Sequence, residues 1–98
     1  MTITHTLEDN KLTIKVAGRL DTITAPELEA YINNYIEGVK ELVFDLKDME
    51  YTSSAGLRVF LITSKKMAHQ GEMIVENVCS DVMEVFEITG FSDFLTIR

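Results

Sequence analysis

The chain has 98 residues, 46% of them apolar, and sets 16 acidic against 9 basic side chains for a net charge of −7. That length supports one core, which buries about 60–65% of the surface exposed by the unfolded chain, so a functional site must be shallow or lie on a rim. The acidic balance repels nucleic-acid phosphates and anionic lipid heads, and no apolar run reaches the roughly 18 residues of a membrane span.

The N-terminal stretch MTITHTLED has neither the basic start nor the apolar run of a secretory signal. Cys79, the only cysteine, has no partner for an internal disulfide and reads as a buried, inert thiol. Both features point to a reducing, cytoplasmic setting.

In chain order, Thr2 to Leu7 alternates Ile3, His5 and Leu7 against threonines, and Leu12, Ile14 and Val16 alternate after a turn at Glu8-Asp9-Asn10. The pattern predicts an antiparallel hairpin. Gly18 to Ile23 reads as a loop. Thr24 with Glu27 three residues later predicts a capping box, and Pro26 suits the first turn of a helix. That helix carries Leu28, Ile32, Tyr35 and Ile36 on one face and stops at Gly38. Glu41 to Leu46 reads as a buried strand. A second helix runs from about Ser54 to Gln70, with Leu57, Phe60, Leu61, Ser64, Met67 and Ala68 inward and Gly71 at the stop. Met73 to Val75 is a further strand. Ser80 and Asp81 open a third helix that ends at Gly90, and Leu95 to Ile97 is a last short strand.

Strands alternating with helices imply parallel central strands joined by crossovers. The expected fold is α/β: one domain over residues 1–98, a small mixed sheet of four or five strands with a parallel centre and an antiparallel N-terminal edge, packed against three or four helices. In such sheets the loops leaving the carboxyl ends of the strands share a rim, where ligands bind. Asp21, Thr22 and Thr24 fall on one such loop, Thr52, Ser53 and Ser54 on the next, and Asn77 and Ser80 on the third. The three loops are expected to form one hydroxyl-rich, acidic patch.

Charge is uneven. Leu57 to Gln70 holds Arg58, Lys65 and Lys66 without an acid, while Glu76 to Phe94 holds Glu76, Asp81, Glu84, Glu87 and Asp93 without a base. These read as solvated faces of opposite sign, or as an acidic face for a basic protein.

The stretch Tyr51-Thr52-Ser53-Ser54-Ala55-Gly56 admits four readings. One serine can cap the helix. Gly56, unfavourable in a helix by about 1 kcal/mol relative to alanine, suggests a close approach by another part of the fold or by a partner. A serine nucleophile would need a base and the G-x-S-x-G elbow; the elbow is absent, and His5 and His69 are the only histidines. The free N–H groups and positive end of the helix could hold an anion, although the lysine-bearing phosphate loop of nucleotide-binding proteins is missing. A phosphate could instead be attached covalently, changing the charge of the rim without changing the fold. No His, Cys or carboxylate cluster has metal-ligand spacing, and no cofactor is called for.

Ala17-Gly18-Arg19-Leu20-Asp21, Thr24-Ala25-Pro26-Glu27-Leu28, Leu46 to Leu57 (LKDMEYTSSAGL), Gln70-Gly71 and Phe86-Glu87-Ile88-Thr89-Gly90-Phe91 together resemble the STAS family over nearly the whole chain. That domain occurs in bacterial anti-sigma factor antagonists and at the tail of sulfate transporters. The resemblance implies a non-catalytic partner switch. The unphosphorylated protein binds an anti-sigma factor that is also a serine kinase; phosphorylation at the start of the second helix reverses binding, and a PP2C-type phosphatase restores it. Against the family pattern Asp-Ser-(Ser or Thr)-Gly-Leu-Gly, Ser54 falls on the first hydroxyl position, Ala55 on the second and Ser53 on the aspartate, with Arg58 in place of the last glycine. Ser54 is therefore the expected phosphosite and Ser53 the fallback. Partner-binding residues carried over are Asp21, Thr22, Thr24, Ser53, Ser54, Ala55, Gly56 and Arg58. Arg19 stands where the family often has an acid. The resemblance leaves room for a weak homodimer, and its alternatives are a small-anion or nucleotide sensor, or a regulatory domain excised from an anion transporter.

Overall fold

In the computed structural model, which describes residues 1–98, strand β1 (Thr2–Glu8) turns through Asp9 (φ 55°) into β2 (Lys11–Leu20). The chain continues through α1 (Ala25–Tyr35), β3 (Glu41–Asp45), β4 (Met49–Thr52), α2 (Ser54–Ala68), β5 (Glu72–Glu76), α3 (Ser80–Ile88), a short 3-10 helix (Phe91–Asp93) and β6 (Thr96–Ile97). The sheet runs β1-β2-β3-β5-β6, with β1 antiparallel to β2 and the other neighbours parallel. The α/β class, the antiparallel N-terminal edge and the parallel centre are as expected, with six strands rather than four or five.

The extra strand is β4, a segment for which the sequence pattern predicts no element and whose last residue, Thr52, is expected on a loop. β2 is also longer than Leu12 to Val16 and absorbs Gly18-Arg19-Leu20, which had read as loop. Its first half, Lys11 to Lys15, pairs with β3; past a register shift at Gly18/Arg19, its second half pairs with β4. The Asp48 carbonyl accepts the Gly18 N–H at 2.9 Å and pins the bend. The second half does not continue the alternation of the first, because the bulge breaks the two-residue period that makes a strand visible.

All three helices share one core with the inner face of the sheet, where Leu12, Ile14, Val16, Leu42, Phe44 and Val75 meet Leu28, Ile32, Leu57, Phe60, Val82 and Phe86. Phe60 of α2 stacks edge-to-face on Phe44 at 5.1 Å and on Phe86 at 6.1 Å between ring centroids, joining β3, α2 and α3. The buried stripe of α2 is Gly56, Leu57, Val59, Phe60, Thr63 and Met67, so the expected inward positions Leu61, Ser64 and Ala68 give way to Val59 and Thr63. Thr63 is tolerated there because its hydroxyl donates to the Val59 carbonyl at 2.7 Å. Tyr35, expected inside, is 36% exposed and lies over His5 instead.

Two local expectations are corrected. The capping box at Thr24 does not form: Thr24 is already helical (φ −89°, ψ −20°) and turns its hydroxyl back into the preceding loop. Gly71 ends α2 without a left-handed conformation. A Cβ there would overlap the Lys40 carbonyl, which also accepts the Glu72 N–H at 2.9 Å. The glycine permits this close approach between strand entries.

Candidate functional site

Parallel pairing sets Leu20 beside Thr52, and the Ser53 N–H donates to the Leu20 carbonyl at 2.9 Å. Asp21 and Ser53 therefore leave adjacent strand ends side by side. Asp21 organises its loop. Its Oδ1 accepts the backbone N–H groups of Ile23 and Thr24 at 3.0 Å each, and its carbonyl accepts the Ala25 N–H at 2.8 Å. The Thr24 hydroxyl accepts the Asp21 N–H at 2.8 Å and has one proton to give either to the Arg19 carbonyl (3.0 Å) or to Asp21 Oδ1 (3.2 Å). The Thr24 N–H holds the Asp21 carboxyl below its usual pKa; partial desolvation opposes this, and the Ile23 N–H, the Thr24 hydroxyl and the Arg19 charge reinforce it.

The two serines occupy different environments. Ser53 is the N-cap by backbone geometry (φ −95°, ψ 177°), and its carbonyl accepts the first helical N–H, from Leu57, at 3.1 Å. Its side chain makes no capping bond; Oγ is buried without a partner. Ser54, the first residue of α2, is exposed. The expectation that a serine side chain caps the helix is thus corrected: neither does, and the first-turn N–H groups at Ser54 stay open to solvent or ligand.

Gly56 also receives a correction. It is buried, and a Cβ would come within 2.5 Å of Thr52 Oγ1 and 2.7 Å of Leu20 Cγ. The close approach suggested by sequence is made by the fold itself, so Gly56 presents no partner surface. Thr24 is likewise committed to its loop. Thr22, Ala55 and Arg58, by contrast, line a groove of about 380 Å³ between α1 and α2, together with Pro26 and Glu29.

The third loop does not join this patch. Asn77 donates to Asp45 Oδ1 at 3.0 Å, and Cys79 Sγ lies 3.4 Å from the Met49 carbonyl. Asn77 and Cys79 are thus tied to the exit of β3 and the entry of β4, at the opposite end of β4 from Ser53. Cys79 is half-buried rather than fully buried.

Two surface residues escaped the sequence reading. Ile23 is 86% exposed at the tip of the Asp21 loop, and Tyr51 is 39% exposed with the Arg19 guanidinium 4.1 Å over its ring. An isoleucine between two threonines, in a segment with neither helical nor strand period, was the available signal for Ile23.

Neither histidine reaches the serines. His5 bonds through Nδ1 to the Tyr31 hydroxyl, and His69 caps the far end of α2, about 22 Å from Ser54 along the helix axis. No group of three or more His, Cys, Asp or Glu side chains is placed to hold a metal, and no helix is long and apolar enough to cross a membrane.

The STAS domain family model matches residues 2–98. BtrV of Bordetella bronchiseptica is 37% identical over 93% of this chain and 80% of its own. The anti-sigma-B factor antagonist of Bacillus subtilis is 33% identical over 91% of this chain and 83% of its own; that of Staphylococcus aureus is 30% identical over 100% and 93%. Among solved structures, an anti-sigma factor antagonist from Mycobacterium paratuberculosis superposes with a TM-score of 0.90 at 24% identity, over 99% of this chain and 84% of that one. The anti-sigma factor antagonist SpoIIAA superposes at 0.76 in its unphosphorylated form, with 16% identity over 99% of this chain and 87% of that one. The Bacillus cell fate determinant SpoIIAA in its phosphorylated form gives 0.75, with 17% identity over 99% and 91%.

Proposed function

The chain belongs to the STAS domain family, among the anti-sigma factor antagonists, and we propose that it is a non-catalytic partner switch controlled by phosphorylation of Ser54. The observation that carries this reading is the difference between the serines. Ser54 offers an exposed hydroxyl at the open N-terminus of α2, whereas the Ser53 oxygen is buried. A kinase can reach the first without unfolding the helix.

A phosphate on Ser54 would add about −1.5 to −2 charges where the helix end favours them. Arg58, four residues on and exposed, lies on the same side of α2 within reach of a charge-assisted bond. The fold tolerates the modification while the rim changes sign of behaviour toward a partner. The unmodified rim offers Ile23, Thr22, Ser54 and the groove lined by Ala55 and Arg58 to an anti-sigma factor, with the Asp21 loop held rigid from within. The partner is an anti-sigma factor with serine kinase activity, and a PP2C-type phosphatase returns the hydroxyl, all in the cytoplasm.

Incubation with the serine kinase anti-sigma factor of the same genome and ATP, followed by peptide mapping, is the test. Phosphate at Ser54 that disappears in Ser54→Ala is the expected result. Phosphate solely at Ser53 moves the switch to a residue that must first be exposed, and phosphate at neither serine overturns the proposal.

A further inference from the structure

β1 is a sheet edge with unusual composition. It pairs with β2 residue for residue, from Thr2 opposite Ala17 to Glu8 opposite Lys11, and with no other strand. Its outer row of backbone N–H and C=O groups is open along seven residues. Natural edges of this length are defended by charge, proline or a bulge. Thr2 to Leu7 has none of these, in a chain of net charge −7. It is the stretch of sheet where two copies meet the least like-charge repulsion.

We infer that the outer edge of β1 is a self-association surface, at which a second copy adds its own β1 antiparallel about a two-fold axis through His5. Such an axis pairs residue i with residue 10 − i. Ile3 then faces Leu7 of the second copy, Thr4 faces Thr6, and Thr2 faces Glu8. Ile3, His5 and Leu7 lie on the helix side of the sheet, opposite Val16, Ile14 and Leu12 in register. Leu7 is 51% exposed, and the pairing covers it with an apolar side chain. An axis through Thr4 would set Ile3 against His5, and one through Thr6 would set Leu7 against His5. Only the His5 register matches apolar with apolar on both sides of the axis and threonine with threonine on the other face. The contact is isologous, as a two-fold requires, and a single strand pair buries less than a standard interface, so the dimer is weak.

Sedimentation equilibrium of the whole chain, up to about 1 mM, reads the association. The mass of the wild type rises from monomer toward dimer. Thr4 and Thr6 are exposed and can be changed without touching the core. Thr4→Lys/Thr6→Lys and Thr4→Glu/Thr6→Glu each place like charges face to face at both positions, and each loses about tenfold or more in association. An equimolar mixture of the two variants, with opposite charges facing, recovers it. The variants keep the wild-type circular dichroism spectrum, with small melting shifts of opposite sign, because position 4 faces Lys15 across the hairpin. A wild type that stays monomeric throughout, variants that dimerise as before, or a mixture that fails to associate overturns the inference.

Discussion

Ser53 and Ser54 are adjacent in sequence and opposite in environment, and the packing at Gly56 sets the difference. Gly56 lets the first turn of α2 sit directly on Leu20 and Thr52, which draws the Ser53 side chain inward and leaves Ser54 outside. In an exposed helix, glycine to alanine stabilises by up to about 1 kcal/mol. Here the new Cβ meets Leu20 and Thr52, so Gly56→Ala is expected to destabilise by about 1–3 kcal/mol, read as a lower urea midpoint. A gain in stability would show that the helix start is not packed as described. Asp21 carries a pH signature. A carboxylate with a lowered folded-state pKa contributes stability that is present above its unfolded value, near 3.8, and is lost as pH falls through the folded value. The urea midpoint of Asp21→Ala should therefore lie below that of the wild type by a constant amount at neutral pH, and the gap should close below about pH 4. A gap that persists in acid would assign the effect to packing. The sequence placed Ser53 correctly at the helix start, but which way a serine side chain turns depends on Leu20 and Thr52, more than thirty residues apart.

At the scale of elements, strong periodicity was legible and broken periodicity was not. The hairpin, the three helices and the buried strands β3 and β5 follow from alternation, helical spacing and glycine stops. β4 has four residues and pairs only with the bulged half of β2, so neither partner shows a clean two-residue period. That pair is what brings Asp21 beside Ser53, and the rim was thus inferred from topology without the strand that builds it. Gln70 was recognised as part of a motif without a role. Its side-chain N–H groups donate to the Ile36 and Val39 carbonyls at 2.9 and 2.8 Å, closing the C-terminal end of α1. Gln70→Ala should cost about 1–3 kcal/mol in chemical denaturation, through two carbonyls left without that partner. Phe60→Ala, which opens the junction of Phe44 and Phe86, should cost about 3–5 kcal/mol by the same measurement. A Phe60→Ala loss no larger than the Gln70→Ala loss would contradict the central place given to the aromatic stack.

On the scale of the whole molecule, the sheet separates two functions. Its carboxyl-end rim gathers Asp21, Ile23, Ser54 and Arg58 at the amino end of α2, while the uncharged edge of β1 lies on the flank of the sheet beside α1. Distance along the sheet keeps them independent, so variants at Thr4 and Thr6 should leave rim binding unchanged. Arg58 lies one helical turn from Ser54, so a phosphate that engages it withdraws it from a partner. Affinity for the cognate anti-sigma factor, measured by titration calorimetry for wild type, Ser54→Asp and Ser53→Ala, tests this most directly. Ser54→Asp should weaken binding by about tenfold or more with an unchanged circular dichroism spectrum and melting temperature, and Ser53→Ala should bind as the wild type does. Undiminished binding by a folded Ser54→Asp chain would contradict the assignment of the switch to Ser54.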